Sequence, residues 1–173
     1  MLIVAATERE LEHVRRFDTF PCGVGPVEAA LQTARALAER RPDAVVHIGI
    51  AGARAIEPLS IVLGSEAVYE DALGPLVSSR IEPDATLLAR LRVKLPEAHV
   101  LPIGTSARVG GTRACDVEAM EGFAVLSACA LAGVPAVELR AISNSPDESD
   151  RSKWRLEEAF EVLGGALDRL DVV

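Results

Sequence analysis

The chain has 173 residues, 49% of them hydrophobic, and a formal charge of −8 from 18 Lys+Arg against 26 Asp+Glu. That length supports one full α/β core rather than two, so a single nucleus of structure over residues 1–173 is expected. Excess acid and the absence of any Lys/Arg run exclude the electrostatic footprint of a nucleic-acid binder, and a small neutral or cationic ligand fits better.

In chain order, the run LIVAA (2–6) is continuously apolar and ends at Thr7, the form of a strand buried on both faces. ERELEHVRRF follows as a short charged helix or turn. FPCGVG (20–25) reads as a second short strand closing on Gly23 and Gly25. Pro26 then suits the first position of a helix to about Arg40, with an apolar stripe of Val27, Ala30, Leu31, Ala34, Leu37 and Ala38. DAVVHIGIAGA (43–53) predicts a buried strand running into a glycine-rich turn, and IVLGSEAVYE (61–70) another strand. DATLLARLRVKL (84–95) predicts a helix, HVLPIG (99–104) a strand and TSARVGGTR (105–113) a loop. Residues 117–133 predict a helix closed by Gly133, 135–143 a strand, and 152–170 an amphipathic C-terminal helix. Strands alternating with helices indicate an α/β fold, a three-layer sandwich around a central mixed, largely parallel sheet. Ligands of such sheets sit where strands end in loops at the carboxyl edge.

Several familiar chemistries are absent from the sequence. CGVGPVEAA offers a strand, a G-x-G and a helix, but Glu28 stands where a dinucleotide fingerprint needs its third glycine, so a tight strand-to-helix turn is the expected role. There is no phosphate-binding G-x-x-x-x-G-K-[ST] and no G-x-S-x-G. Cys22, Cys115 and Cys129 lack zinc or disulfide spacing and read as reduced thiols of a cytoplasmic protein. The opening MLIVAATERE is too short for a secretory leader, and no apolar run approaches the ~20 residues of a membrane span. His13, His47 and His99 are scattered and read as surface or satisfied core histidines, His47 being the least easily dismissed because it lies inside a strand. On a helix from Val117, Glu121 shares a face with apolar residues, and an ionised carboxylate there needs a partner. An ion pair with Arg140 and a ligand diol with two hydroxyl donors both answer that need.

VEAMEGFAV…AGVPAVELRAISN, with CGVGPVEAA and HIGIAGA, resembles the purine nucleoside phosphorylase and nucleosidase superfamily. Within it, ATERE, VEAMEG, RAISN and the R-x-x-W of Arg151 to Trp154 are most similar to the futalosine hydrolases, nucleosidases of the futalosine route to menaquinone. The resemblance implies N-glycosidic hydrolysis of a 6-oxopurine nucleoside without cofactor or metal, in a homo-oligomer. It makes Met120 a wall against the ribose and Glu121 the acceptor for its 2′ and 3′ hydroxyls, with Ala51 and Gly52 beside the purine and Phe123 a candidate for stacking on the base. Asn144 stands where relatives acting on adenine carry Asp. Its NH₂ suits a 6-oxo oxygen and its C=O a proton on N7, which points to hypoxanthine or guanine. Glu10 matches the glutamate that activates water, whereas a phosphorylase would want cations around phosphate, a role for which Arg9 and Arg108 are available. A catalytically silent nucleoside-binding module is the further alternative. Arg151 and Trp154 are candidates for the carboxyphenyl end of futalosine, Trp154 equally for a first apolar residue of its helix, and Arg140 for orienting Glu121 or Glu10. The chain is shorter than usual for the family, with the missing part expected between Phe17 and Phe20.

Overall fold

The computed structural model describes residues 1–72 and 74–170. β1 (Leu2–Ala5) pairs in parallel with β2 (Asp18–Pro21) on one side and β3 (Val45–Ala53) on the other. Successive residues of a strand point to opposite faces. Ile3, Val46 and Ile48 accordingly enter one apolar cluster while Leu2, Val4 and Val45 enter another. A continuously apolar strand is thus covered on both faces, as its sequence predicts. α2 (Pro26–Arg40) and α4 (Gly122–Ala132) cover one side, through Ala36 and Leu37 and through Val125 and Cys129. α3 (Ala85–Lys94) and α5 (Leu156–Asp168) cover the other, through Leu87, Leu91, Leu163 and Leu167.

The expected α/β chain with a mixed, largely parallel sheet is present. The sheet, however, does not remain an open central layer. β3 pairs in parallel with β8 (Ala136–Asn144), β8 antiparallel with β4 (Ile61–Tyr69), β4 in parallel with β6 (His99–Thr105), and β6 in parallel with β7 (Val117–Ala119). β7 then returns antiparallel to β3 at Gly52 and Ala53, so five strands close a ring. Each of the five contributes to one separate cluster, Ala51 and Ala53, Val62, Ile103, Val117 and Ala119, and Ile142, which fills the interior as side chains fill a small barrel.

Two short strands lie where none is expected, β5 (Arg80–Ile81) and β7. β7 takes residues from the helix expected over 117–133: pairing with β6 on one side and β3 on the other satisfies its backbone and closes the ring, so the helix starts only at Gly122. Gly133 ends it at φ 69°, a conformation natural to glycine. The second strand covers 18–21 rather than 20–25, leaving Cys22–Gly25 as a turn; Gly25, at φ 88°, caps α2 ahead of Pro26. At the C-terminal end a 3₁₀ turn (Arg151–Lys153) precedes α5, which begins at Leu156 rather than near 152. Between β1 and β2, α1 (Glu8–Leu11) is a single turn closed by a capping box: Thr7 accepts from the Glu10 amide while the Glu10 carboxylate accepts from the Thr7 amide. Among the described residues, no helix is long and apolar enough to cross a membrane.

Ile103 lies fully buried inside the ring. Truncation by Ile103→Ala is expected to cost about 2–5 kcal/mol, read as a lowered midpoint in urea unfolding with the slope unchanged.

Candidate active site

The alternation of β8 divides its residues by role. Val137, Leu139 and Ala141 face the cluster under α3 and α5, whereas Glu138, Arg140 and Ile142 fall on the opposite face. In the parallel register, Glu138 stands beside His47 and Arg140 beside Gly49 of β3. Gly49 is required here: a Cβ on it would lie 2.1 Å from Arg140 Nη1 and 2.6 Å from Glu10 Oε1. The missing side chain lets α1 and β8 bring a carboxylate and a guanidinium to the same point over β3.

Arg140 is 1% exposed and fully engaged. Its Nε donates to Glu138 Oε1 at 2.8 Å and its Nη1 to the Ile48 carbonyl at 3.3 Å. Nη2 donates to His47 Nε2, whose Nδ1–H in turn donates to the Val4 carbonyl at 3.1 Å. His47 is therefore a neutral, satisfied core histidine; burial and then the adjacent guanidinium hold its pKa well below the usual range. The same Nη2 approaches Glu121 Oε2 only to 3.8 Å. Of the two carboxylates that Arg140 was a candidate to orient, Glu121 is thus a long ion contact, and Glu138 is the closest acidic partner. Sequence reading missed Glu138, although E-L-R in a strand places both charges on one face.

Glu121 sits at the position before the first residue of α4 rather than on a helix face. Its Oε1 accepts the Gly25 amide at 2.9 Å, so the turn after β2 supplies a donor to the site. A carboxylate offers about four acceptor positions. One hydrogen bond and one long ion contact leave capacity directed into the cavity that Glu121 lines. Burial raises its pKa, opposed by Arg140 and the Gly25 amide and reinforced by Glu10 and Glu138.

That cavity, about 300 Å³, lies at the carboxyl ends of β1, β3 and β8. Of the expected residues it gathers Glu10, Ala51, Gly52, Met120, Glu121, Asn144 and Trp154. Glu10 is 8% exposed, not a solvated charge: Oε2 accepts from the amide and hydroxyl of Thr7, each at 2.9 Å, and Oε1 accepts from the Ile50 amide at 3.3 Å. Asn144 follows a bulge of β8 at Ser143, where one step on β3 from Ala51 to Gly52 spans two from Ile142 to Asn144, an irregularity of the kind that re-aims a side chain. Ser143 Oγ donates to its Oδ1 at 2.7 Å and its Nδ2 donates to the Ser145 carbonyl at 2.9 Å. One N–H and one lone pair remain, a single donor beside a single acceptor.

Phe123 does not reach the cavity. Its ring stacks on Tyr69, centroids 5.3 Å apart, and packs against the α2 and α4 cluster, because its helix begins later than expected and turns it outward from Met120 and Glu121. Trp154 lines the rim with Val24, Leu156 and Phe160. Arg151 lies over the Trp154 ring at 5.5 Å without lining the cavity, and Arg108 belongs to a separate groove with Glu70 and Asp71. Arg9 does line the cavity, paired to Glu157 and 5.4 Å from the centre of the Phe160 ring. Glu118 is a further lining residue that the sequence did not suggest. It is buried, and it accepts the Gly110 and Thr112 amides and the Thr112 hydroxyl, fixing the loop that brings Val109 to the wall. Among the described residues, no cluster of His, Cys, Asp or Glu has the arrangement of a metal site.

Comparison with known proteins identifies the family and the fold. Residues 19–170 match the phosphorylase superfamily. The chain is 34% identical to a futalosine hydrolase of Streptomyces coelicolor, over 89% of this chain and 78% of that one. It is 31% identical to the futalosine hydrolase of Acidothermus cellulolyticus, over 90% and 78%. A futalosine hydrolase mutant of Helicobacter pylori superposes with a TM-score of 0.87 at 18% identity, over 97% of this chain and 96% of that one, which establishes the shared fold. The chain belongs to the phosphorylase superfamily and, within it, to the futalosine hydrolases.

Proposed function

We propose that the cavity holds a 6-oxopurine nucleoside and that the protein hydrolyses its N-glycosidic bond, with futalosine as substrate and hypoxanthine as released base. The reading rests on one observation: two buried carboxylates from different elements, Glu10 and Glu121, line the same cavity as the single donor–acceptor pair left by Asn144. Cleavage of such a bond passes through a cationic ribosyl transition state. Glu121, with acceptor capacity unused, takes the 2′ and 3′ hydroxyls and stabilises that charge, while Met120 closes the ribose wall. Glu10 accepts a proton from water as the water oxygen attacks C1′. The bonding pair leaves with the purine, which is neutralised by a proton delivered to N7 from solvent as Glu10 returns its own; Asn144 Oδ1 accepts from that N7–H while Nδ2 donates to the 6-oxo oxygen. Ala51 and Gly52 leave space for the flat base.

At the rim, Val24, Trp154, Leu156 and Phe160 offer an apolar wall to the carboxyphenyl end of futalosine. A phosphorylase would need several cations around phosphate; Arg108 lies elsewhere and Arg9 is already paired, while Glu10 and Glu121 would repel the dianion. The three free, buried cysteines suit a reducing compartment, and the cytoplasm is the proposed location. The proposed assembly is a homo-oligomer: α2 exposes Val27 (71%) and Leu31 (64%) one turn apart, continuous with Val24 at the cavity rim.

Release of the free base, hypoxanthine from futalosine and inosine and adenine from methylthioadenosine, followed with and without phosphate, tests the reading. Phosphate-independent release, greatest for futalosine, is expected, and strict dependence on phosphate would sink it. Glu10→Gln should lower kcat by about 10²–10⁴ without unfolding the protein. Asn144→Asp should shift the ratio of 6-amino to 6-oxo turnover upward by at least about tenfold, and an unchanged ratio would contradict the pairing scheme. Leu31→Glu should yield a monomer by light scattering where the parent is larger.

A further inference from the structure

Glu138 does not touch the cavity, yet it makes the closest acidic contact with Arg140, 2.8 Å against 3.8 Å for Glu121. It is 1% exposed, and its second oxygen finds no hydrogen-bond partner among the described residues. That oxygen rests on Gly122, where a Cβ would come within 2.0 Å of it, so the first residue of α4 is small enough to admit a carboxylate at the helix N-terminus. A residue kept for stability alone has little reason to be a half-satisfied buried acid, since an apolar side chain of similar size avoids the cost of desolvation.

The structure assigns Glu138 as the positioning residue that fixes the Arg140 guanidinium between Glu10 and Glu121. The inference rests on the nucleosidase reading above and adds a specific device to it. With Nε anchored on Glu138 and Nη2 on His47, Arg140 cannot close the remaining distance to Glu121 Oε2. That oxygen therefore stays available to ligand hydroxyls instead of being consumed by an internal ion pair. Every charged or titratable group facing the guanidinium bears on this balance. Glu138 lies beside it on β8, Glu121 ahead of α4, and Glu10 on α1. His47 on β3 is held neutral, and Cys22 after β2 is too, its thiol pushed up to about 12 by burial and then by Glu121.

Glu138→Gln keeps an acceptor for Arg140 but removes the competing charge, and Glu138→Met removes both. Arg140 should then move onto Glu121. Expected are a loss of roughly 10- to 10²-fold in kcat with weaker nucleoside binding by calorimetry, larger in Glu138→Met. The sign of the pH effect is fixed by the charges: Glu138 raises the Glu121 pKa and Arg140 lowers it, so both changes move Glu121 ionisation to lower pH. The acid limb of kcat/KM, and the carboxyl-carbon NMR titration of Glu121 read without turnover, should shift down together. Unchanged rates and titration in folded variants overturn the assignment, as does loss of fold in both. Absence of nucleoside binding and of cleavage by the parent protein would instead overturn the nucleosidase reading itself.

Discussion

Arg140 must be compensated where it lies, because taking a guanidinium out of water costs several kcal/mol unless hydrogen-bonded counter-charges meet it. Much of the surrounding sequence follows from that requirement. Glu138 and His47 come to it through strand register, the Ile48 carbonyl through the backbone of β3, and Glu121 through the turn ahead of α4. Gly49 and Gly122 are small because the guanidinium and its carboxylates occupy the volumes their side chains would fill. Gly25 adds a backbone donor to Glu121 from a conformation that glycine adopts without strain.

The fold was legible where periodicity was strong. LIVAA, DAVVHIGIAGA and PAVELRAIS are long apolar runs with turn residues at their ends, and each is a strand close to its expected bounds. β7 was not legible because V-E-A is three residues long, and MEGFAVLSACALAG following it carries the stronger helical signal. Its conformation is decided by two neighbouring strands distant in sequence, a tertiary constraint that a local pattern does not contain. Ring closure depends on that same strand, so an open layered sheet was the natural expectation.

The site divides in the same way. Glu121 and Asn144 drew attention as a polar group on an apolar face and at a strand end, and Glu10 through the family resemblance alone; all three line the cavity. Phe123 was misplaced with the helix that carries it, one consequence of the missed strand. Glu118 and Glu138 escaped notice because each looked like an ordinary charge in a segment assigned as helix or core. Only the pleat of β8 shows that Glu138 and Arg140 share a face, and only the loop over 108–112 shows what Glu118 holds.

The charge balance of the cluster connects these observations to chemistry. Glu10, Glu121 and Glu138 surround one guanidinium, with His47 neutral, so the fully ionised cluster carries more negative charge than its own cation can offset. Burial raises the pKa of both Glu121 and Glu138. In the proposed function, a ribosyl group developing positive charge beside Glu10 and Glu121 supplies what the cluster lacks. Interaction is then stronger with the transition state than with the neutral ground state, which is the condition for accelerating a reaction rather than merely binding its substrate. On the same reading, a phosphate dianion would add charge that burial already opposes at these acids, which leaves neutral water as the acceptable nucleophile. On that reading, preference for hydrolysis over phosphorolysis follows from the charge balance around one buried arginine, bonded to Glu138 at 2.8 Å and 3.8 Å from Glu121.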